Sequence, residues 1–353
     1  IESYIAKYEA YFKRYTKSRK VAKTMLSPLP KLIWARDIGV IGVGATMKEA
    51  RVITDLAQQN IKVMADGIDA GGFDPVQEQD LFDMEYWSLE QAKIGKSSPS
   101  AMQGQVVIVT GGAGVIGQAI ACEFRASGAE IMLVDKNADQ LEKARSQIDQ
   151  DIEILAVDVT EPDAPRRVID SAISHFGAVD ILISNAGNAP SGTIGEVSDD
   201  VLRKSFEINF FSHQNCASEA VKIMKKQNTN GCLLFNISKQ SVNPGKNFGP
   251  YGLPKTALLS LCKQYALDYG SLGIRSNGVN ADRIRSGLLN DGMIKSRAKA
   301  REVTTDEYMR GNLLLNEVKA EDVAKAFFHL AVSKKTTGAV LTVDGGNIAA
   351  SLR

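Results

Sequence analysis

The amino-acid sequence predicts an α/β fold: a doubly wound parallel sheet with helices on both faces, preceded by a small α+β segment. Three observations predict it. Val106 to Val109 is a short β-branched run that ends in the small-residue turn Thr110-Gly111-Gly112-Ala113-Gly114. Val115 to Ala126 is apolar at helical spacing, and Gly128 closes it before a second apolar run, Ile131 to Val134, that ends at Asp135. Further apolar runs recur to the end of the chain, each ending in a polar or glycine-bearing switch. Strand, glycine turn, helix, strand, acidic residue is the first half of a dinucleotide-binding, Rossmann-type unit.

Each part of that unit has a physical job. Gly111 permits the tight turn, Gly114 lets backbone approach a pyrophosphate, and Gly117 lets the helix lie close to the sheet. The first N–H groups of the helix, at Val115, Ile116 and Gly117, meet the diphosphate with the positive end of the helix dipole. Asp135 at the tip of the second strand accepts the adenosine ribose hydroxyls and repels a 2′-phosphate, so NAD is expected rather than NADP. Lys136 beside it can blunt that repulsion.

At 353 residues the chain is long enough for two units of unequal size. The boundaries predicted are 1–96 for the first, 97–102 for a small polar linker within GKSSPSAMQ, and 103–353 for the dinucleotide-binding unit. A formal net charge of +1 and no long basic block argue against a nucleic-acid partner. No run of 18 apolar residues is present to span a bilayer. Cys122, Cys216, Cys232 and Cys262 lack C-x-x-C spacing and sit among apolar residues, so they are expected as buried thiols in a reducing, cytoplasmic setting. The chain starts at Ile1 with no signal-like segment, so it is expected to be part of something longer.

Within the first unit, Tyr4, Tyr8, Tyr11 and Tyr15 recur at helix spacing and predict a face that covers a neighbouring surface. Leu32 to Trp34 and Asp37 to Val43 predict a hairpin. Thr46 and Glu49 predict a capped helix start for Ala50 to Asp66. Glu78 to Ala92 carries Leu81, Phe82, Glu85, Tyr86 and Leu89 at helical spacing. The segment has no histidine; the chain's three are His175, His213 and His329, too far apart for ligand spacing, and no metal site is expected.

In the second unit, runs at Ile152 to Val157, Val179 to Ser184 and Cys232 to Ile237 predict strands leading to Asp158, Asn185-Ala186-Gly187 and Ser238. Helices are expected at Ala164–His175, Asp199–Lys226 and Tyr251–Tyr269. Tyr251 and Lys255, four apart in YGLPK, share a helix face. A neighbouring ammonium would lower the phenol's pKa and let Tyr251 act as base toward an alcohol, or as acid in reverse. Ser238 can hold the substrate oxygen. Asn209 sits mid-helix, where asparagine has poor propensity, and could hold a water linking Lys255 to solvent. Pro254 is expected in the helix's first turn.

On these residues the stretch 103–348 resembles a short-chain dehydrogenase/reductase. The resemblance implies that Asn209, Ser238, Tyr251 and Lys255 form the catalytic set. It further implies that TGGAGVIG at 110–117, Asp135, Asp158 with Val159, and Asn185-Ala186-Gly187 bind NAD, with Lys255 also on the nicotinamide ribose. TVDGG at 342–346 resembles the family's final strand and implies a homo-oligomer, tetramer or dimer. SKQSVNPGKNFGPYGLPKTAL and IRSNGVNADRIRSGLL resemble the dehydrogenase half of fusions of rhamnulose-1-phosphate aldolase with lactaldehyde dehydrogenase. GVIGVGATMKEARVITDLAQQNIKVMADG and EQDLFDMEYWSLEQAK resemble the tail of the class II aldolase fold. The implied substrate is a small hydroxy-aldehyde or alcohol, lactaldehyde-like, or a sugar derivative.

Three departures stand out. Val115 replaces the usual central glycine, Lys239 follows Ser238 and could favour a carboxylate or phosphate, and Ala281-Asp282 replaces the proline-glycine beside the nicotinamide carboxamide. Arg283 and Arg285 add charge there, and residues 283–315 are expected to form a lid. The same residues also fit a non-catalytic nucleotide-binding or oligomerisation module that keeps the dehydrogenase fold.

Overall fold

The structure, a computed structural model, describes residues 1–92 and 98–347. Lys93 to Lys96 of the expected first unit, Ser97 of the linker, and the last six residues lie outside the described residues. The chain divides into two compact units, Ile1–Gly104 and Gln105–Arg353.

The first unit opens with α1 (Glu2–Arg19), followed by the antiparallel hairpin β1 (Leu32–Ala35) and β2 (Gly39–Gly42). Asp37, expected at the start of the second strand, instead takes a left-handed turn conformation with φ of 64°. The helix α2 (Met47–Asp69) begins as its sequence predicts, with the Thr46 hydroxyl accepting from the Glu49 N–H at 3.1 Å. The Glu49 carboxylate reaches back to the Ala45 N–H at 2.8 Å. The segment after it is not one helix but two: α3 (Glu78–Glu85) ends at Tyr86, and α4 (Ser88–Gln91) follows. Only Phe82 and Tyr86 of its apolar set are buried, whereas Leu81 and Leu89 are exposed. The tyrosine face of α1 does cover a surface. Tyr8 and Tyr11 donate to the two oxygens of Glu85 at 2.6 and 3.0 Å, and the Tyr11 ring packs edge-on against Phe82. Burial and Glu85 together hold the Tyr8 and Tyr11 phenols well above their usual range.

The second unit carries strands β3 (Val106–Thr110), β4 (Glu130–Asp135), β5 (Glu153–Ala156), β6 (Ile181–Ser184), β7 (Gly231–Asn236), β8 (Ile274–Ala281) and β9 (Val340–Val343). They form one parallel sheet in the order β5-β4-β3-β6-β7-β8-β9. The order reverses between β3 and β6, and that crevice at the strands' carboxyl ends is where doubly wound sheets bind ligands. The helices between strands are α5 (Val115–Ala126), α6 (Ala138–Ile148), α7 (Ala164–Phe176), α8 (Asp199–Phe206), α9 (Ser212–Gln227), α10 (Gly249–Tyr269), α11 (Asp291–Lys299), α12 (Thr305–Met309) and α13 (Ala320–Val332).

Strands buried on both faces require continuous apolar runs, and all five residues of β3 are buried. On one face Ile108, Met132, Leu182, Leu233 and Phe235 pack with Val168 and Ala172 of α7, Ala217 and Ala220 of α9, and Leu258 of α10. Each large apolar side chain so buried contributes about 2 kcal/mol. Phe124 of α5 meets Phe328 of α13 edge-on at 5.4 Å. Of the four thiols, Cys216, Cys232 and Cys262 are buried as expected, but Cys122 is exposed on α5. Its place in an apolar run concealed that it faces away from the core. Among the described residues no helix is long and apolar enough to cross a membrane.

Candidate active site

The glycine turn after β3 is built as its sequence requires. Gly111 sits at φ of 63°, and a Cβ on it would lie 2.9 Å from the Ala186 Cα. A Cβ on Gly117 would lie 2.4 Å from the Gly111 carbonyl oxygen, so only glycine lets α5 start this close to the strand. Gly114 is the cap residue of α5, and the first turn, Val115-Ile116-Gly117, has neither a capping side chain nor an acidic residue. Its N–H groups and dipole end therefore suit an anion. Val115, in place of a glycine, is 48% exposed and so crowds nothing beneath it.

Asp135 ends β4 with one carboxylate oxygen accepting from the Ala113 N–H and the other from the Asn137 N–H, each at 3.2 Å. Four lone-pair sites accommodate both bonds and leave acceptors for hydroxyl groups. Asp158 is held below its usual range: burial opposes this, but the Thr160 N–H and hydroxyl and the charge of Lys136 outweigh it. Lys136 thus acts on Asp158. Val159 beside it is buried.

Asn185-Ala186-Gly187, after β6, is tied to the glycine turn. The Asn185 and Ala186 N–H groups donate to the Thr110 hydroxyl, and the Asn185 amide donates to the Thr110 and Gly111 carbonyls at 3.1 and 3.2 Å. The Asn185 side-chain oxygen accepts from the Asn236 amide at 2.8 Å, which links the turn to β7. A Cβ on Gly187 would fall 2.9 Å from the Asn209 side-chain oxygen and 3.8 Å from the Lys255 ammonium. The crevice floor is therefore one connected network. Its cradle of glycines, an open helix start and a strand-end carboxylate fit a dinucleotide.

Asn209, Ser238, Tyr251 and Lys255 converge beside that floor. The Ser238 side chain lies near enough to the Tyr251 phenol to favour its ionised form, and the Ser238 hydroxyl accepts from the Gln240 N–H at 3.3 Å. The Lys255 Nζ lies 5.9 Å from the centre of the Tyr251 ring and donates to the Asn236 carbonyl at 2.8 Å. Lys255 is only 3% exposed. Burial drives its ammonium down to about 7, and burial pushes the half-buried Tyr251 phenol up, with the nearby Ser238 side chain pulling it partly back. The expectation that Lys255 lowers the phenol is thus not met by the protein alone, because desolvation acts on both groups and favours their neutral forms.

Asn209 lies in a π-helical turn, Glu207–Phe211, between α8 and α9, and is fully buried. Its amide donates to Asn188 Oδ1 and Ser205 Oγ, and its side-chain oxygen accepts from the Asn188 N–H. Both amide hydrogens are thus taken by protein groups, and the side-chain oxygen keeps a second lone pair. Pro254 lies in the second turn of α10 rather than the first, because the helix starts at Gly249. Its missing N–H deprives the Pro250 carbonyl of its intrahelical donor.

Lys239 is not a free cation. Its Nζ pairs with Asp282 at 2.9 Å, and Asp282 also takes the Arg283 guanidinium at 3.3 Å and the Asn347 amide. The expected lid contains α11 and α12, packed through Leu289, Ile294, Ala298, Tyr308 and Met309. Arg297 of α11 stacks 4.6 Å from the Phe248 ring at the start of α10.

Sequence reasoning missed Asn236, Asn188 and His213. His213 is fully buried on α9, with Nδ1 2.7 Å from the Ser184 hydroxyl, and burial followed by the Lys255 charge holds it neutral. Its spacing of four from Asn209, one turn along the same face, was the available signal. Among the described residues no cluster of His, Cys, Asp or Glu is arranged to hold a metal ion.

Residues 100–347 match the protein family described as Enoyl-(Acyl carrier protein) reductase, and residues 1–94 match Aldolase class II, second domain. The whole chain is 31% identical to an uncharacterized oxidoreductase, YuxG, of Bacillus subtilis, and spans 53% of that relative's length. It is 29% identical to L-rhamnose-1-dehydrogenase of Scheffersomyces stipitis over 69% of this chain and 96% of that one. A short-chain type dehydrogenase/reductase from Mycobacterium ulcerans superposes with a TM-score of 0.64 at 26% identity, covering 70% of this chain and 90% of the other. The chain belongs to the short-chain dehydrogenase/reductase family of NAD(P)-dependent oxidoreductases, with an aldolase-like segment ahead of the dehydrogenase unit.

Proposed function

We propose that the chain interconverts a small hydroxy-aldehyde, alcohol or sugar-derived alcohol with its carbonyl product, using NAD. The observation that carries the proposal is the grouping of Ser238, Tyr251 and Lys255, the lysine Nζ 5.9 Å from the centre of the phenol ring and close to the Asn185-Ala186-Gly187 turn. A bound nicotinamide dinucleotide supplies a hydride acceptor, or a donor in reverse. Ser238 holds the substrate oxygen by its hydroxyl, and the Tyr251 Oη takes that oxygen's proton as the carbonyl forms or returns it to the forming alcohol. Lys255, when protonated, holds the phenolate form at Tyr251 Oη, and the Asn236 carbonyl fixes where that ammonium sits.

Asp135 supports NAD over NADP, because a carboxylate at the end of the second strand of such a unit would repel a 2′-phosphate. The likeness to L-rhamnose-1-dehydrogenase supports a polyhydroxylated substrate, and the aldolase-like segment supports a lactaldehyde-like one. A cytoplasmic homo-oligomer, tetramer or dimer, is part of the same reading, as is a functional boundary near residues 97–102.

The test is reduction of NAD with lactaldehyde, propane-1,2-diol and L-rhamnose, followed by nicotinamide absorbance. Tyr251→Phe should lower turnover by about 10² to 10⁴ while NADH binding, read by fluorescence, stays. Equal turnover in the variant would defeat the assignment.

A further inference from the structure

We infer that Asp282 keeps this active site closed to anionic substrates, so that the substrate is a neutral hydroxy compound. The inference rests on the oxidoreductase reading above and narrows its substrate class. Three cations follow neighbouring strand ends on the carboxyl edge of the sheet: Lys239, next to Ser238 and just past β7, and Arg283 and Arg285 past β8. Left free, any of them would attract a carboxylate or phosphate.

Each has an acidic partner instead. Lys239 immediately follows Ser238, which lies near the Tyr251 phenol, and its Nζ is 2.9 Å from Asp282 Oδ1. Arg283 is 3.3 Å from Asp282 Oδ2, donates to the Tyr308 carbonyl at 2.5 Å, and lies over the Tyr308 ring at 4.8 Å. Arg285 pairs with Glu317 at 2.6 Å and Asp291 at 3.3 Å. The Asp282 carboxylate is 8% exposed and the Lys239 side chain 19%. The pair is therefore withdrawn from solvent screening, and an incoming anion would have to displace a charge-assisted hydrogen bond to reach the lysine.

The bridge also has a fixed place in the fold. Asp282 follows β8, and Lys239 lies just past β7, its hydrogen-bonded neighbour, in which Asn236 pairs with Val279. Asn347, beyond β9, donates to the same carboxylate. One acid thus joins the ends of three adjacent strands on the ligand side. Its exchange for an uncharged isostere would release Lys239 one residue from the substrate-holding serine.

The experiment compares propane-1,2-diol with lactate, which carry the same secondary alcohol at C2 and differ in a hydroxymethyl against a carboxylate. Oxidation removes the hydroxyl proton and a hydride from C2 in both, giving hydroxyacetone or pyruvate. With NAD, the unaltered protein should prefer the diol by at least about tenfold in kcat/KM. Asp282→Asn should raise the lactate value about tenfold or more, and Asp282→Asn with Lys239→Gln should remove that gain. The double variant separates a freed cation from a merely loosened loop.

Oxamate binding to the NADH complex, read by fluorescence quenching, gives the same comparison without turnover. Asp282→Asn should tighten it about tenfold and the double variant should not. If neither substrate is oxidised, the oxidoreductase reading fails for this substrate size, and the oxamate series alone decides the role of Asp282. Preference of the unaltered protein for lactate, no gain in folded Asp282→Asn, or an equal gain in the double variant would each overturn the inference.

Discussion

Lys255→Met probes a strongly perturbed group of the site, and its effect can be worked out from burial alone. The ammonium is 3% exposed, and burial lowers it from 10.5 to about 7. Between those two values the unfolded chain holds a proton on this lysine and the folded chain does not. Stability must then rise with pH across that window, by roughly 1.4 kcal/mol per unit. Below pH 7 both states are protonated, and the folded state carries the whole cost of a buried charge, about 4–5 kcal/mol.

Methionine is of similar length and cannot titrate. The variant loses the bond to the Asn236 carbonyl, which costs about 1–3 kcal/mol at every pH, and it escapes the charging cost. The difference in unfolding free energy, variant minus unaltered protein, should therefore favour the variant more at pH 6 than at pH 9, by about 2–3 kcal/mol. Urea unfolding of both proteins at pH 6, 7.5 and 9 measures it, and other titrating groups cancel in the difference. Parallel stability curves over that range would show that Lys255 keeps an ordinary ammonium, and the burial argument would be wrong.

The remaining predictions test neighbouring parts of the site. Gly117→Ala places a methyl group 2.4 Å from the Gly111 carbonyl oxygen, so NADH binding should weaken by about tenfold or more, as read by fluorescence titration. Asp135→Ser removes the strand-end carboxylate, and the ratio of kcat/KM for NADP against NAD should rise about tenfold, measured with either substrate of the comparison above. Ser238→Ala removes the hydroxyl that lowers the Tyr251 phenol, so the limb of the pH–rate profile set by Tyr251 should move to higher pH and kcat should fall about tenfold or more. An unshifted limb would remove Ser238 from contact with the phenol.

Much of the fold was legible because its signals are local. The β-branched runs, the glycine turn and the Thr46–Glu49 cap each act over a few residues, and the structure places strands, turn and cap where they fall. The spacing of Tyr251 and Lys255 was legible for the same reason. The break at Tyr86 was not, since Leu81 and Leu89 continue a helical pattern although neither is buried. Nor was the exposure of Cys122, which a run of apolar neighbours disguised.

The charge state of the site was the least legible feature, and the reason is distance along the chain. The carbonyl that fixes Lys255 belongs to Asn236, and the acid that neutralises Lys239 belongs to Asp282, each supplied by another element. A sequence shows that an ammonium stands one helical turn from a phenol. It does not show how little water reaches either. Burial moves a cation and an acid in opposite directions, so two residues that look like a ready ion pair on paper are both pressed toward neutrality in the fold. The same loss of water strengthens the Lys239–Asp282 pair, because its charges meet within hydrogen-bond distance whereas the Lys255 ammonium meets only a carbonyl. Whether an isolated charge survives in this crevice is decided by its partners, and those come from the folding of strands that the sequence keeps far apart.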